Sequence, residues 1–152
     1  MKYRILTGLL MGIFAAPVLC AANISVLVME SGENRESAEA RYPVLWENGL
    51  LEIFFDAGHI VTNSPKVQID GKFEDDFPAE AKKEFDNARE VGMDYFLVAL
   101  IDYSTSVVVM RLFDIRSTKK VLEQKYKAST FRNSKDEYDK IKAAIRVMAA
   151  QL

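Results

Sequence analysis

One cysteine and one histidine are spread over 152 residues. A single cysteine excludes an intramolecular disulfide framework and a multi-cysteine zinc site. An excess of one charge is also missing. The 20 basic and 22 acidic side chains leave a net charge of −2, which argues against a dedicated nucleic-acid binder. Hydrophobic residues at 49% and charged residues at 28% are ordinary globular values, so disorder and collagen-like structure are excluded. The length fits one domain with at most a short appendage.

Catalytic signatures are missing as well. No G-x-S-x-G elbow surrounds a serine. The first strand-to-helix loop has only Gly32, with neither G-x-G-x-x-G nor a P-loop lysine. Ser64 precedes Lys66 by two residues, whereas S-x-x-K needs three. Glu74, Asp75 and Asp76 are adjacent in sequence. Calcium loops instead space their oxygens at alternate positions around a glycine, so these acids read as helix-start electrostatics. His59 lies at a helix–strand junction and reads as a surface or capping imidazole. Asp94, Asp102 and Asp114 fall near strand ends, where structural or solvated roles are expected. Lys135, Lys142 and Arg146 share a helix face with Asp139 among them, a solvated face. No catalytic residue, no metal and no cofactor is expected.

What is present begins with an address. Lys2 and Arg4 open the chain, residues 5–16 form an apolar run, Pro17 follows, and Ala21 and Ala22 supply small residues. This is the layout of a secretory signal peptide. A spanning helix needs about 20 apolar residues, so 1–21 reads as a signal peptide and 22–152 as one domain. Loss of Lys2 and Arg4 with the leader takes the basic side chains from 20 to 18 against 22 acidic, a net charge of −4. An uncleaved membrane anchor is the weaker alternative, and with the leader cleaved Cys20 has two readings. It is either lost in ordinary cleavage or acylated as the new first residue, although Val18 and Leu19 before it fit a lipoprotein signal poorly. The protein is therefore expected in the periplasm, with the membrane involved only if Cys20 is lipidated.

The remaining sequence reads as alternating elements. Residues 24–31 are a β-rich apolar run ending at Gly32. Over 38–57 the spacing turns helical: Trp46, Leu50, Ile53, Phe54 and Ala57 form one stripe, which Leu45, Leu51 and Phe55 widen. Pro43 suits the first turn and Gly58 the C-terminal cap. A strand at 59–63, a short extended piece at 67–69 and a helix at 79–91 closed by Gly92 follow. Residues 94–104 are apolar on both alternating faces, as in a central strand. Strands at 106–115 and 120–129 flank the turn Arg116-Ser117-Thr118-Lys119. A last helix starts near Ser134, with Tyr138, Ile141, Ile145, Met148 and Leu152 on one seam and an Asp136–Lys140 pair on its wet side. The order β-α-β-α-β-β-β-α describes a single α/β (α+β) domain, a mixed sheet with helices packed on it.

The positive feature is apolar excess on the hairpin strands. Val107, Val109, Arg111, Phe113 and Ile115 alternate on one face, while Val108, Met110 and Leu112 take the other. Two apolar faces need cover on both sides, from helices or from a partner. Val107, Val109, Arg111, Phe113, Arg116, Lys119 and Tyr126 make up the candidate partner surface. A rival reading places a ligand pocket among Trp46, Phe54, Phe55 and Phe96.

Three segments carry a family resemblance: ISVLVMES with the helix ending LLEIFFDAGHIVTN, then AREVGMDYFLVALIDYS, then VVVMRLFDIRSTKKVLEQKY. Over about residues 24–150 the chain resembles the periplasmic α/β domain shared by the curli-secretion lipoprotein, the lipoprotein activators of penicillin-binding proteins and the N-terminal domain of TolB. The chain departs from that group in having no long pore-forming hairpin segments and no propeller. The resemblance implies an exported, non-enzymatic domain that acts as a protein–protein interaction or assembly module. Its partner would be another envelope protein or a second copy of itself. The alternative is a small-ligand or lipid carrier. No functional residue transfers position by position, since fold does not fix function.

Overall fold

The computed structural model describes residues 21–32, 41–69, 77 and 79–152. Most of the leader including Cys20, the polar segment after Gly32, the Asp70-Gly71 turn and the acids Glu74, Asp75 and Asp76 lie outside the described residues.

Among the described residues six strands form one mixed sheet. β1 (Asn23–Ser31), β2 (Ile60–Asn63), β3 (Val67–Gln68), β4 (Tyr95–Asp102), β5 (Val107–Asp114) and β6 (Lys119–Lys127) lie in the order β2-β1-β4-β5-β6. The two short strands share the outer side of β1. β2 pairs with its first half, Asn23 opposite Ile60, and β3 with its end, Met29 opposite Val67. Both run parallel to β1, as does β4. β5 and β6 continue antiparallel as hairpins. The sheet is therefore parallel where helices make the connections and antiparallel where turns do, as connection length requires.

Among the described residues three helices cover it. α1 (Tyr42–Asp56) and α3 (Lys135–Ala149) lie on one face, and α2 (Lys82–Glu90), entered through a 3₁₀ turn at Ala79–Ala81, lies on the other. Even-numbered residues of β1 (Ile24, Val26, Val28) and odd-numbered ones of β4 (Leu97, Ala99, Ile101) meet Trp46, Leu50 and Phe54 of α1 and Ile141, Ile145 and Met148 of α3. The opposite rows (Leu27, Met29, Phe96, Val98, Leu100) meet Ala81, Phe85 and Ala88. This two-sided cover explains why all of β1 but Asn23 is buried.

Local signals set the ends of the elements. Pro43 sits in the first turn of α1, and Gly58 and Gly92, at φ +92° and +81°, follow the ends of α1 and α2. Ser134 caps α3 by accepting from the Glu137 amide at 3.2 Å, and the Asp136–Lys140 pair closes at 2.6 Å. One expectation for α1 is corrected. Phe55, taken as part of a widened buried stripe, is 71% exposed. The sheet and α3 cover a single stripe of α1, and position 55 turns out of it. Leu152 likewise falls beyond the end of α3 and is exposed.

Candidate interaction surface

β6 ends the sheet. Among the described residues no strand pairs with its outer side, so a row of its backbone amides and carbonyls faces away from the protein. Alternation divides the side chains of β5 and β6 into two rows. One row lies under α1 and α3. Val108, Met110 and Leu112 are fully buried there, with Leu122, Gln124 and Tyr126 half-buried beside them. The Gln124 amide donates to the Ala144 carbonyl at 2.8 Å, which fastens β6 to α3.

The other row is covered only in part. Phe113 is buried under Phe77, their ring centroids 5.0 Å apart. Val109 lies half-buried at the margin of that core, and Val107 is half-buried beyond it. Arg111 donates to Glu123 at 3.1 Å, and Lys120 reaches the same oxygen at 2.8 Å. Lys120 and Arg111 together hold the Glu123 carboxyl below its ordinary range. Next to this row β6 bulges: Leu112 pairs with Leu122 but Phe113 with Lys120, leaving Val121 as the extra residue, 46% exposed.

The fold does not bring the sequence-derived surface together as one patch. Val107, Val109 and Arg111 share the half-covered row, and Arg116 and Lys119 stand exposed at the β5–β6 turn. Phe113 belongs to the core under Phe77. Tyr126 faces the opposite way, its ring edge-on to Trp46 at 5.4 Å and its hydroxyl donating to Glu137 at 3.2 Å. What the hairpin pattern did not single out is β6 itself. Lys119, Lys120, Lys125 and Lys127 line the open edge around one acid, Glu123. Lysine-rich composition on a strand is an edge signature, and it was legible in the sequence.

The aspartates at strand ends serve the backbone. Asp94 accepts from the Asn23 amide at 2.9 Å, Asp102 from the Ser104 amide at 2.9 Å and the Thr105 hydroxyl at 2.7 Å, and Asp114 from the Ser117 amide at 2.6 Å. The bonds from Ser117, with Arg116 nearby, lower the Asp114 carboxyl below its usual range. His59 is buried, 6% exposed, and its Nδ1 accepts from the Ala22 amide at 3.2 Å. The expectation of a surface imidazole is thus corrected, while the backbone-capping reading describes its bond. Among the described residues no group of three or more His, Cys, Asp or Glu could hold a metal ion, and no helix is long and apolar enough to cross a membrane.

The pocket expected among Trp46, Phe54, Phe55 and Phe96 is corrected. Trp46 and Phe54 lie in the core under α1, Phe96 lies across the sheet in the core under α2, and Phe55 is outside both. A cleft of about 380 Å³ opens instead at the turn end of the sheet, lined by Arg89, Asp94, Ile115 and Arg116 among others.

A protein-family model described as "Uncharacterised protein" matches residues 26–151. The chain belongs to that family. The match runs from within β1 to the residues after α3. No curated protein matches the sequence. Several solved structures are similar. The PelC dodecamer from Paraburkholderia phytofirmans has 14% identity and a TM-score of 0.45, covering 84% of each chain. Lipoprotein GNA1162 from Neisseria meningitidis has 17% identity and a TM-score of 0.46, over 86% of this chain and 99% of that one. TolB from Acinetobacter baumannii has 15% identity and a TM-score of 0.43, over 86% of this chain and 28% of TolB. The resemblance to the TolB group read from the sequence thus recurs among solved structures.

Proposed function

We propose that the protein is an exported cell-envelope domain that acts by binding another protein and does no chemistry of its own. The observation that carries this reading is the open β6 edge beside a half-covered sheet face. A nine-residue strand whose outer side no strand pairs among the described residues is a ready template for strand addition. Val107, Val109 and Val121 border it and offer apolar area to whatever docks there. The basic and apolar residues at the leader region support export, with cleavage near Ala21 and the mature domain over 22–152 in the periplasm. Acylation of Cys20 would tether the same domain to a membrane.

A photo-crosslinking residue placed at Val121 or Lys125 in cells should yield a discrete adduct heavier than the monomer. The same residue at Ala143, exposed on α3, serves as the control and should not. Uncrosslinked monomer from every β6 position would overturn the reading. Intact mass of the protein from the periplasmic fraction reads the cleavage site, and acyl labelling of wild type against Cys20→Ala decides the tether.

A further inference from the structure

We infer that the occupant of the β6 edge is an extended acidic segment of a partner protein, laid alongside β6 as one more strand of the sheet. The inference rests on the interaction reading above and names the chemistry of its partner.

Charge is the first argument. The whole chain is slightly acidic, 22 acids against 20 bases. β6 is the reverse, with Lys119, Lys120, Lys125 and Lys127 against Glu123 alone. Glu123 is already committed to Arg111 and Lys120. Lys125 stands 3.9 Å from Glu123 with 68% of its side chain exposed, and neither Lys119 nor Lys127 has a carboxylate partner among the described residues. Among the described residues, then, Lys119 and Lys127 present positive charge on the edge that no carboxylate pairs, with Lys125 beside them only loosely held. A second copy is disfavoured because pairing two such edges would set lysines against lysines, the device by which edge strands avoid self-association.

Geometry is the second argument. An added strand would continue the pleat, so its side chains would alternate between the two rows. On one row its neighbours are Lys125, Lys127 and Glu123. On the other they are Leu122, Gln124 and Tyr126, half-buried at the margin of α3, with the Gln124 amide already bonded to Ala144. A segment that alternates acidic and apolar residues satisfies both rows, with acids beside the lysines and apolar side chains extending the α3 core. Main-chain hydrogen bonds would supply affinity and the alternation specificity.

The test uses a fluorescent, capped nonapeptide of alternating glutamate and valine, titrated by anisotropy against the full exported chain. Two comparison peptides accompany it: one with lysine for each glutamate, and one with prolines for a central glutamate and its neighbouring valine, which removes a donor from each edge of the strand and only one of its charges. The acidic peptide is expected to bind. The lysine peptide should not, and the proline peptide should bind at least about tenfold more weakly. The double variant Lys125→Glu, Lys127→Glu should lose about tenfold or more in affinity while its thermal unfolding midpoint stays near that of wild type. Equal binding of the proline peptide would reduce the edge to a nonspecific cation strip and overturn the inference. So would a lack of binding, or an affinity unchanged by charge reversal. A concentration-dependent dimer in sedimentation that is abolished by the double variant would assign the edge to a second copy and also overturn it. Crosslinks from Val121 together with no peptide binding would remove this inference alone and leave the interaction reading standing.

Discussion

The hydroxyl of Tyr42, the first residue of α1, donates to Glu137 Oε1 in the first turn of α3 at 3.3 Å, across 95 residues of sequence. Tyr126 of β6 donates to the same oxygen at 3.2 Å, and Ser129 approaches Oε2 at 3.4 Å. Ser134 and Glu137 have the spacing of a capping box, in which the glutamate would reach back to the serine amide. Here the serine half of the box forms, while the glutamate side chain joins the starts of two helices to the edge strand. Glu137 is 1% exposed, and these hydroxyls donate to its buried carboxylate. Glu137→Ala would leave the buried Tyr42 hydroxyl and the half-buried Tyr126 hydroxyl without this acceptor and should cost about 2–4 kcal/mol. Glu137→Gln keeps an acceptor and should cost about half as much. Urea unfolding of the two variants against wild type reads the difference, and equal losses would show that the acceptor is not what matters.

The tyrosines give an alkaline signature. Burial raises the Tyr126 hydroxyl from 10.0 to about 12, with the Glu137 carboxylate adding to it. Burial and the bond to Glu52 raise Tyr138 to about 12 as well. A group whose folded pKa is raised holds its proton more tightly in the native state, so its stabilising contribution is complete below pH 10 and is lost as pH climbs through about 12. Near-ultraviolet absorbance should show delayed tyrosinate formation in the folded protein that advances toward pH 10 in guanidinium. Simple titration of all tyrosines near pH 10 in the folded protein would contradict it.

Acid acts on a different clasp. The Tyr138 hydroxyl donates to Glu52 at 2.6 Å and Lys142 approaches the other carboxylate oxygen at 3.3 Å, tying α3 to α1. The Tyr138 bond chiefly, then Lys142, lowers the Glu52 carboxyl. A depressed carboxyl stabilises above its unfolded pKa, and the contribution fades as pH falls through the folded value. Stability measured from neutral pH downward should therefore decline through the acidic carboxylate range and decline less steeply in Glu52→Gln. Parallel pH curves for the two proteins would refute the assignment.

Gly32, at the end of β1, has φ +105°, and a Cβ there would lie 2.7 Å from Ser104 Oγ and 2.8 Å from the Ser104 backbone nitrogen. Gly92 has φ +81° with nothing within 4 Å of the same atom. Gly32→Ala meets both a strained backbone and an obstructing one, and should cost about 2–4 kcal/mol. Gly92→Ala meets only the strain, about 1–2 kcal/mol. Thermal unfolding of both variants checks the order, and a milder Gly32→Ala would reverse the account.

Most of the element sequence was legible because its signals are local. The 24–31 run, the Trp46–Leu50–Ile53–Phe54 stripe, Ser134 and the Ile141–Ile145–Met148 seam each act within a few residues of themselves. The candidate interaction surface was legible only in part. Val107, Val109 and Arg111 were correctly grouped by alternation, but Phe113 lies on the same row and is covered by Phe77, a residue 36 positions away. Tyr126 was grouped with them by nearness along the hairpin, although its register partner Val108 puts it on the opposite row.

The sequence by itself determined the α/β class, the order of its elements and the absence of a recognisable catalytic motif, since periodicity, glycine and proline act where they stand. Only the tertiary structure decided that β1 and β4 lie side by side and that β6 is left at the edge. It also decided which row of each strand a helix covers. Strand alternation offers two equivalent rows, and the choice between them is made by helices that approach from distant parts of the chain.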